Sequence, residues 1–138
     1  MRFKWPCCLL FLAAIAYPSL AAAEHEVFYR YVVLGYVKDA RGFPQSGKEV
    51  KVVREKTGLA YYGWTDAQGF YTIVVRLEDR DLGDRLRVIA DGMAATIRAQ
   101  FDPNNRKDER GTRLDFLGKK PVERPTWFGA TLKRFLAR

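Results

Sequence analysis

Apolar and polar residues alternate with a period of two along most of the chain, from Glu26 to Gly118. Successive side chains of a β-strand point to opposite faces, so this period is typical of half-buried strands and not of helices. The clearest case is the segment in which Tyr71, Ile73 and Val75 alternate with Thr72 and Val74. The pattern predicts seven strands, at residues 27–37, 49–55, 59–65, 70–77, 85–91, 94–101 and 112–118.

The first predicted strand differs from the others because both of its faces are apolar. Tyr31 and Val33 fall on one face, and Val32 and Leu34 fall on the other, so we expect it to be covered on both sides. Seven short strands separated by turn residues indicate an antiparallel β-sandwich, because two sheets must close their apolar faces on one another. We therefore predict an all-β domain of the Ig-like sandwich type at residues 24–118.

Residues 65–71, TDAQGFY, have the composition of a hairpin turn followed by the start of a strand. Asp66 can accept hydrogen bonds from backbone donors within the turn, and Gly69 can adopt the positive φ that a tight turn requires. This stretch therefore predicts a β-hairpin and not a site of chemistry.

The first 23 residues form a separate segment with the composition of a secretory signal peptide. Arg2 and Lys4 precede an apolar run at residues 7–16, and three alanines at residues 21–23 supply a cleavage site. The alternative, an uncleaved membrane anchor, requires a run of roughly 20 apolar residues, which this segment does not have. Cys7 and Cys8 open the apolar run, where a lipidated cysteine would have to close it, so a lipoprotein is excluded. We expect a periplasmic or secreted protein, bacterial in origin, whose mature chain has no thiol.

The last twenty residues, 119–138, form a tail with a different pattern. Two prolines interrupt the chain, Thr126 is a candidate N-cap, and a basic amphipathic helix is predicted after it. Such a helix can fold back onto its own sandwich, dock on a protein partner or lie on anionic lipid. The residues that we expect to make these contacts are Trp127, Phe128, Leu132, Lys133, Arg134, Phe135 and Leu136.

Several motifs, in this order along the chain, resemble the carboxypeptidase regulatory-like domain. They are Gly35-Tyr-Val-Lys-Asp39, Gly42-Phe-Pro-Gln-Ser-Gly47, Val50-Lys-Val52, Thr65-Asp-Ala-Gln-Gly-Phe-Tyr71 and Val88-Ile-Ala-Asp-Gly92. The resemblance covers about residues 30–101. It implies a transthyretin-like sandwich of seven strands and a role as an accessory, stabilising or binding module.

The residue types that carry catalysis and metal binding are scarce. Outside residues 1–23 there is one serine, Ser46, and one histidine, His25, so a nucleophile with an adjacent base is not expected, and neither is a cofactor. Glu24-His25-Glu26 would hold copper or nickel only as a newly exposed terminus, and the favoured reading is a solvated histidine. The acidic loop at residues 78–84 lacks the spacing of a calcium loop, and Arg80 and Arg85 supply opposite charge. An enzyme of unrecognised type stays open only because carboxylates from distant loops can meet in a fold.

Charge and aromatic residues leave two functions open. The net charge is +8 and falls to +6 without the first 23 residues, but basic and acidic residues are interspersed, and we expect no nucleic-acid partner for an exported protein. Our first hypothesis is a non-enzymatic module that docks on a protein partner in the cell envelope through its tail. The second is a module that binds envelope glycan through Tyr62 and Trp64, which alternation places on one face. Large aromatic side chains usually bury most of their area, so core positions are the favoured expectation for both.

Overall fold

The computed structural model describes residues 26–138 and consists of eight β-strands, three 3₁₀ turns and one α-helix. The predicted signal peptide, both cysteines and His25 lie outside the described residues. The strands are β1 (Arg30–Lys38), β2 (Glu49–Arg54), β3 (Ala60–Trp64), β4 (Phe70–Arg76), β5 (Arg85–Ala90), β6 (Met93–Arg98), β7 (Gly111–Leu117) and β8 (Lys120–Glu123). The helix is α1 (Phe128–Leu136), and the 3₁₀ turns are Val27–Tyr29, Asp79–Asp81 and Pro125–Trp127.

The strands form two four-stranded sheets, and the prediction of a mostly β, two-sheet fold is confirmed. The first sheet has the order β4-β1-β7-β8, and the second has the order β3-β2-β5-β6. All seven predicted segments form strands. The eighth strand, β8, lies in the tail, which we had expected to leave the sandwich after Gly118. The antiparallel prediction is wrong for one pair, because β1 and β7 run parallel.

The inner faces of the two sheets enclose the main core. The alternation of each strand places one set of apolar side chains there, and most of them are at most 1% exposed. β1 is covered on both sides, as predicted, because Tyr31 and Val33 face the main core while Val32 and Leu34 face a second cluster on the outer side. The main core comprises Tyr31, Val33, Val37, Val50, Val52, Tyr71, Ile73, Val75, Leu77, Leu86, Val88, Ala90, Ile97, Ala99, Leu114 and Phe116.

The parallel ladder between β1 and β7 is interrupted at Gly35 and Tyr36, and two side chains complete it. The ladder pairs Leu34 with Arg113 and resumes at Val37 and Phe116. In the gap, the backbone N–H of Tyr36 donates to Oδ1 of Asp115 at 3.0 Å, and the Tyr71 hydroxyl donates to the carbonyl of Leu114 at 2.6 Å. Both groups replace backbone partners that the ladder lacks here, so buried polar groups stay satisfied.

The turn at residues 65–71 has the predicted geometry. Oδ1 of Asp66 accepts hydrogen bonds from the backbone N–H groups of Gln68 and Phe70, each at 2.9 Å, and Gly69 has φ of 73°. The turn joins β3 to β4, which are edge strands of different sheets. It therefore connects the two layers, and the prediction of a hairpin is wrong because β3 and β4 do not pair within one sheet.

The tail folds back onto the outer side of the first sheet. Phe128 is 7% exposed and packs with Val32, Leu34 and Phe70, and the ring of Phe135 lies 5.0 Å from that of Phe70. The predicted N-cap is wrong: Pro125–Trp127 forms a 3₁₀ turn, Trp127 precedes the helix, and no side chain caps it. The apolar face of α1 is thus covered by the chain's own sheet, one of the alternatives left open by the sequence.

Burial of two tyrosines predicts a loss of stability at alkaline pH. Burial raises the pKa of Tyr31 from 10.0 to about 12 and that of Tyr71 well above its ordinary value. A raised pKa means that the neutral phenol is favoured in the fold, so its contribution is complete below pH 10.0 and is lost as pH rises to about 12. For Tyr31 the expected loss is about 2 to 3 kcal/mol. Denaturant unfolding measured between pH 9 and 12 should show this loss of unfolding free energy, and the loss should be smaller in Tyr31→Phe. Identical pH profiles for the two proteins would contradict the role of Tyr31.

Candidate functional site

The outward side of the second sheet, called the open face below, is accessible to solvent. Its side chains are those opposite in alternation to the core residues Val50, Val52, Leu86 and Val88, and each is exposed or half-buried. The open face consists of Glu49, Lys51, Val53, Tyr62, Trp64, Arg85, Arg87, Ile89, Ala94, Thr96 and Arg98.

Tyr62 and Trp64 lie on the open face at its β3 edge, so the expectation that they are core residues is wrong. Their exposed fractions are 52% and 62%. The residues between and before them face inward instead: Tyr61 packs against the main core, and a Cβ at Gly63 would lie 2.9 Å from Ile73. Within residues 26–138, α1 covers the first sheet and no helix covers β3, so the outward side chains of β3 lie in solvent.

A cation lies directly beside the aromatic pair. Lys51 of β2 is the cross-strand partner of Tyr62, and its ammonium nitrogen lies 5.8 Å from the centre of the Tyr62 ring. Glu49 is the cross-strand partner of Trp64. Two aromatic rings with a carboxylate and an ammonium group next to them can stack on an apolar ring face and hydrogen-bond hydroxyl groups at its rim.

The acidic loop at residues 78–84 is a network of ion pairs. Asp79 contacts Arg106 and Arg110, each at 2.7 Å, and Arg54 contacts Asp81 at 3.2 Å and Asp84 at 2.9 Å. The hydrogen bond from Arg110 is the main cause that lowers the pKa of Asp79. Within residues 26–138, no group of three or more His, Cys, Asp or Glu side chains has a metal-binding arrangement.

The positive charges that pair with the carboxylates of this loop come mostly from residues that the sequence analysis did not select. Arg80 does pair with Glu78, but Arg85 pairs with Glu55 instead of with the loop. Arg54 and Arg110 come from distant parts of the chain, so spacing along the sequence gave no signal for them.

The predicted docking residues of the tail are divided between the chain's own core and solvent. Phe128 is buried, and Leu132 and Phe135 are half-buried against the first sheet. The exposed ones are Trp127 at 49%, Lys133, Arg134, and Leu136 at 70%. Beside the helix is a groove of about 470 Å³ whose lining includes Arg30, Val32, Thr72, Val74, Glu109, Leu132, Phe135 and Leu136.

A buried carboxylate attaches the tail to the first sheet. Asp115 is 1% exposed and contacts Nη2 of Arg113 at 3.0 Å, and Nη1 of Arg113 donates to the Thr131 hydroxyl at 3.0 Å. Arg124 contacts the same carboxylate at 3.6 Å and lies 4.4 Å from the centre of the Trp127 ring. The sequence analysis did not select Asp115 or Arg113, although a charged pair two residues apart in an apolar strand was a visible signal.

The part of the chain that the structure describes has no side chains arranged as a nucleophile with an adjacent base. Ser46 lies exposed in the loop between β1 and β2, and the described residues contain no histidine or cysteine beside it. No helix within residues 26–138 is long and apolar enough to cross a membrane.

Comparison with known proteins does not identify a family. No family model matches the chain, and no curated protein matches it. The solved structures that it resembles include the dioxygenase domain of a dioxygenase carbohydrate-binding protein fusion from Streptomyces sp. SirexAA-E, with a TM-score of 0.45 and 16% identity over 64% of this chain and 79% of that one.

Two further structures are chlorocatechol dioxygenases, each matched over less than two thirds of its own length. Chlorocatechol 1,2-dioxygenase from Pseudomonas putida has a TM-score of 0.42 and 18% identity, over 64% of this chain and 59% of that one. 3-Chlorocatechol 1,2-dioxygenase from Rhodococcus opacus 1CP has a TM-score of 0.40 and 16% identity, over 72% of this chain and 58% of that one. At these TM-scores the likeness carries no argument about fold or activity.

Proposed function

We propose that this chain is an exported, non-enzymatic module that binds envelope glycan through the open face. It would be a sandwich of the carboxypeptidase regulatory-like, transthyretin-like kind, in which the strands form a rigid support for the binding side chains. The observation that carries the proposal is the outward position of Tyr62 and Trp64 on the same face of one strand.

The exposure of this pair costs the fold hydrophobic stabilisation. Each ring leaves more than half of its surface in water, although large aromatic side chains usually bury most of theirs. Adjacent exposed aromatics on a rigid strand are well suited to stack against the apolar faces of sugar rings, while Lys51 and Glu49 offer a donor and an acceptor for hydroxyl groups. Aromatic side chains with few rotatable bonds also lose little conformational entropy when they bind.

Docking on a protein partner is the second candidate, and it rests on a smaller surface than the sequence suggested. The apolar face of α1 is occupied by the first sheet, which leaves Leu136 on the helix and Trp127 just before it as the large apolar side chains of the tail that are exposed. Leu136 and the half-exposed Val74 line the groove beside the helix, and an apolar residue of a partner fits such a surface.

Trp64→Ala should separate the two candidates. We expect it to weaken the binding of residues 24–138 to purified peptidoglycan by about 2 kcal/mol, as measured by co-sedimentation. Truncation of a central aromatic contact typically costs at least that much binding free energy. The thermal unfolding midpoint should change little, since the side chain is largely exposed. The measurement is the bound fraction as a function of peptidoglycan concentration.

Two variants serve as controls. Phe43→Ala removes an aromatic side chain that is 60% exposed but belongs to a loop paired with Lys38 of β1, and it should leave binding unchanged. Leu136→Ser tests the groove. If envelope association is lost with Leu136→Ser and retained with Trp64→Ala, the protein-partner function is the correct one and the glycan proposal fails.

A further inference from the structure

We infer that the ligand of the open face is an acidic polysaccharide, a chain of carboxylate-bearing sugars that runs diagonally across the second sheet from Trp64 to Arg98. This inference rests on the proposed function and adds the chemical class and the direction of the ligand.

Strand register places one aromatic ring and three cations on a straight diagonal. Trp64 pairs with Glu49, and Lys51 lies two residues further along β2. Lys51 pairs with Ile89, and Arg87 lies two residues further in the same direction. Arg87 pairs with Thr96, and Arg98 again lies two residues further.

Each step of the diagonal moves one strand sideways and two residues along the strand, which is about 8 Å. The whole diagonal spans about 25 Å from Trp64 on β3 to Arg98 on β6. All four residues share the open face, because each step keeps the alternation in phase. A line of this length fits an extended polymer and not a single sugar.

No carboxylate of the described residues lies within salt-bridge distance of the cations of the diagonal, although Glu49 is two residues from Lys51 on the same face. Lys51, Arg87 and Arg98 form no salt bridge there, whereas Arg30, Arg54, Arg106, Arg110, Arg113 and Arg124 all pair with carboxylates. Arg98 is in addition the direct cross-strand partner of Arg85. Like charges directly opposite each other destabilise a sheet, and because Glu55 pairs only with Arg85, a bound anion next to Arg98 would reduce the remaining repulsion.

The distribution of charge along the diagonal favours a glycan over a nucleic acid. Arginine side chains bind planar carboxylates through two parallel hydrogen bonds, which suits the β5–β6 half of the open face. At the other end, Glu49 stands beside Trp64 and would repel a uniformly charged phosphate backbone, but it can accept hydrogen bonds from sugar hydroxyls. The occupant therefore needs both uncharged ring faces and carboxylates.

The test compares oligogalacturonate with its methyl ester, which has the same sugar skeleton without the charge. By calorimetry at low salt, the acid form should bind at least about tenfold more tightly than the ester, and 0.5 M NaCl should remove this difference because exposed charges are then screened. Arg87→Ala and Arg98→Ala should each weaken binding of the acid form by about tenfold and leave the ester unchanged. Arg134→Ala, which removes an exposed arginine from α1, is the matched control and should have no effect.

The outcomes distinguish this inference from the proposed function. Equal affinity for acid and ester, with both lost in Trp64→Ala, would overturn the acidic ligand and leave a glycan-binding module. If Arg134→Ala weakens binding as much as Arg87→Ala and Arg98→Ala do, the acidic ligand of the open face is likewise overturned. Tighter, Arg87-dependent binding to duplex DNA or to phosphatidylglycerol vesicles would overturn it in favour of a phosphate ligand. No binding to either oligosaccharide, together with no effect of Trp64→Ala on peptidoglycan sedimentation, would reject both.

Discussion

Gly35→Ala is expected to destabilise the protein by about 4 kcal/mol or more, a large part of the roughly 5 to 15 kcal/mol that stabilises an ordinary domain. A Cβ at this position would overlap the carbonyl oxygen of Leu114 on the neighbouring parallel strand and would touch Oδ1 of Asp115. Backbone atoms of β7 cannot move away without breaking the pairing of β1 with β7 and the hydrogen bond from the Tyr71 hydroxyl. Denaturant unfolding, or loss of soluble protein, measures the effect.

Gly129→Ala provides the matched control for this substitution. Gly129 lies in the first turn of α1, and a Cβ there meets nothing within 4 Å. Alanine is the better helix former, so this variant should be neutral or more stable by up to about 1 kcal/mol. Equal stability of the two variants would show that the backbone of β7 leaves room for a Cβ at position 35.

Asp115→Ala is the second substitution with a large expected effect, about 3 to 4 kcal/mol of destabilisation. It removes the acceptor of the Tyr36 N–H and the carboxylate that holds Arg113 and Arg124. The Arg113 side chain is only 16% exposed, so its charge would be left without compensation in a poorly solvated position. Because Arg113 also binds Thr131, the tail should loosen, and trypsin should cleave after Lys133 or Arg134 faster than in the wild type.

The control for Asp115 is the exposed ion pair between Arg138 and Asp66. Its side chains are 41% and 38% exposed, so Arg138→Ala should cost at most about 1 kcal/mol. A similar cost for both substitutions would show that Asp115 is solvated and does not organise the tail. Unchanged trypsin cleavage of Asp115→Ala would contradict its role in attaching α1.

The strands could be predicted from the sequence because their alternation is a local property. Each of the seven predicted segments contains enough apolar residues in phase to make a buried face, whatever it pairs with. β8 was not predicted because it is short and contains Pro121. Proline has no backbone N–H to donate to a β-ladder, so we interpreted this position as an interruption of the strand pattern. The parallel pairing of β1 with β7 also escaped, since nothing in either strand's own pattern encodes the direction of its neighbour.

The candidate site could be predicted only in part. Alternation correctly placed Tyr62 and Trp64 on one face, but which face is inward depends on what covers the sheet. Here α1 covers the first sheet and leaves the second uncovered. The alignment of Lys51, Arg87 and Arg98 is a product of register among three strands, so no spacing along the chain could indicate it.

The parallel contact between β1 and β7 also determines when the protein can fold. Tyr36 and Asp115 are 79 residues apart, and the first sheet lacks one of its two central strands until Asp115 has been synthesised. A topology dominated by such distant contacts has high contact order, and formation of the sheet requires closure of a long loop before it yields stabilising contacts. β1 therefore stays without its parallel partner during synthesis until Gly111–Leu117 has emerged. Until then, the edge of β1 that β7 covers in the fold is open to pairing with strands of other chains.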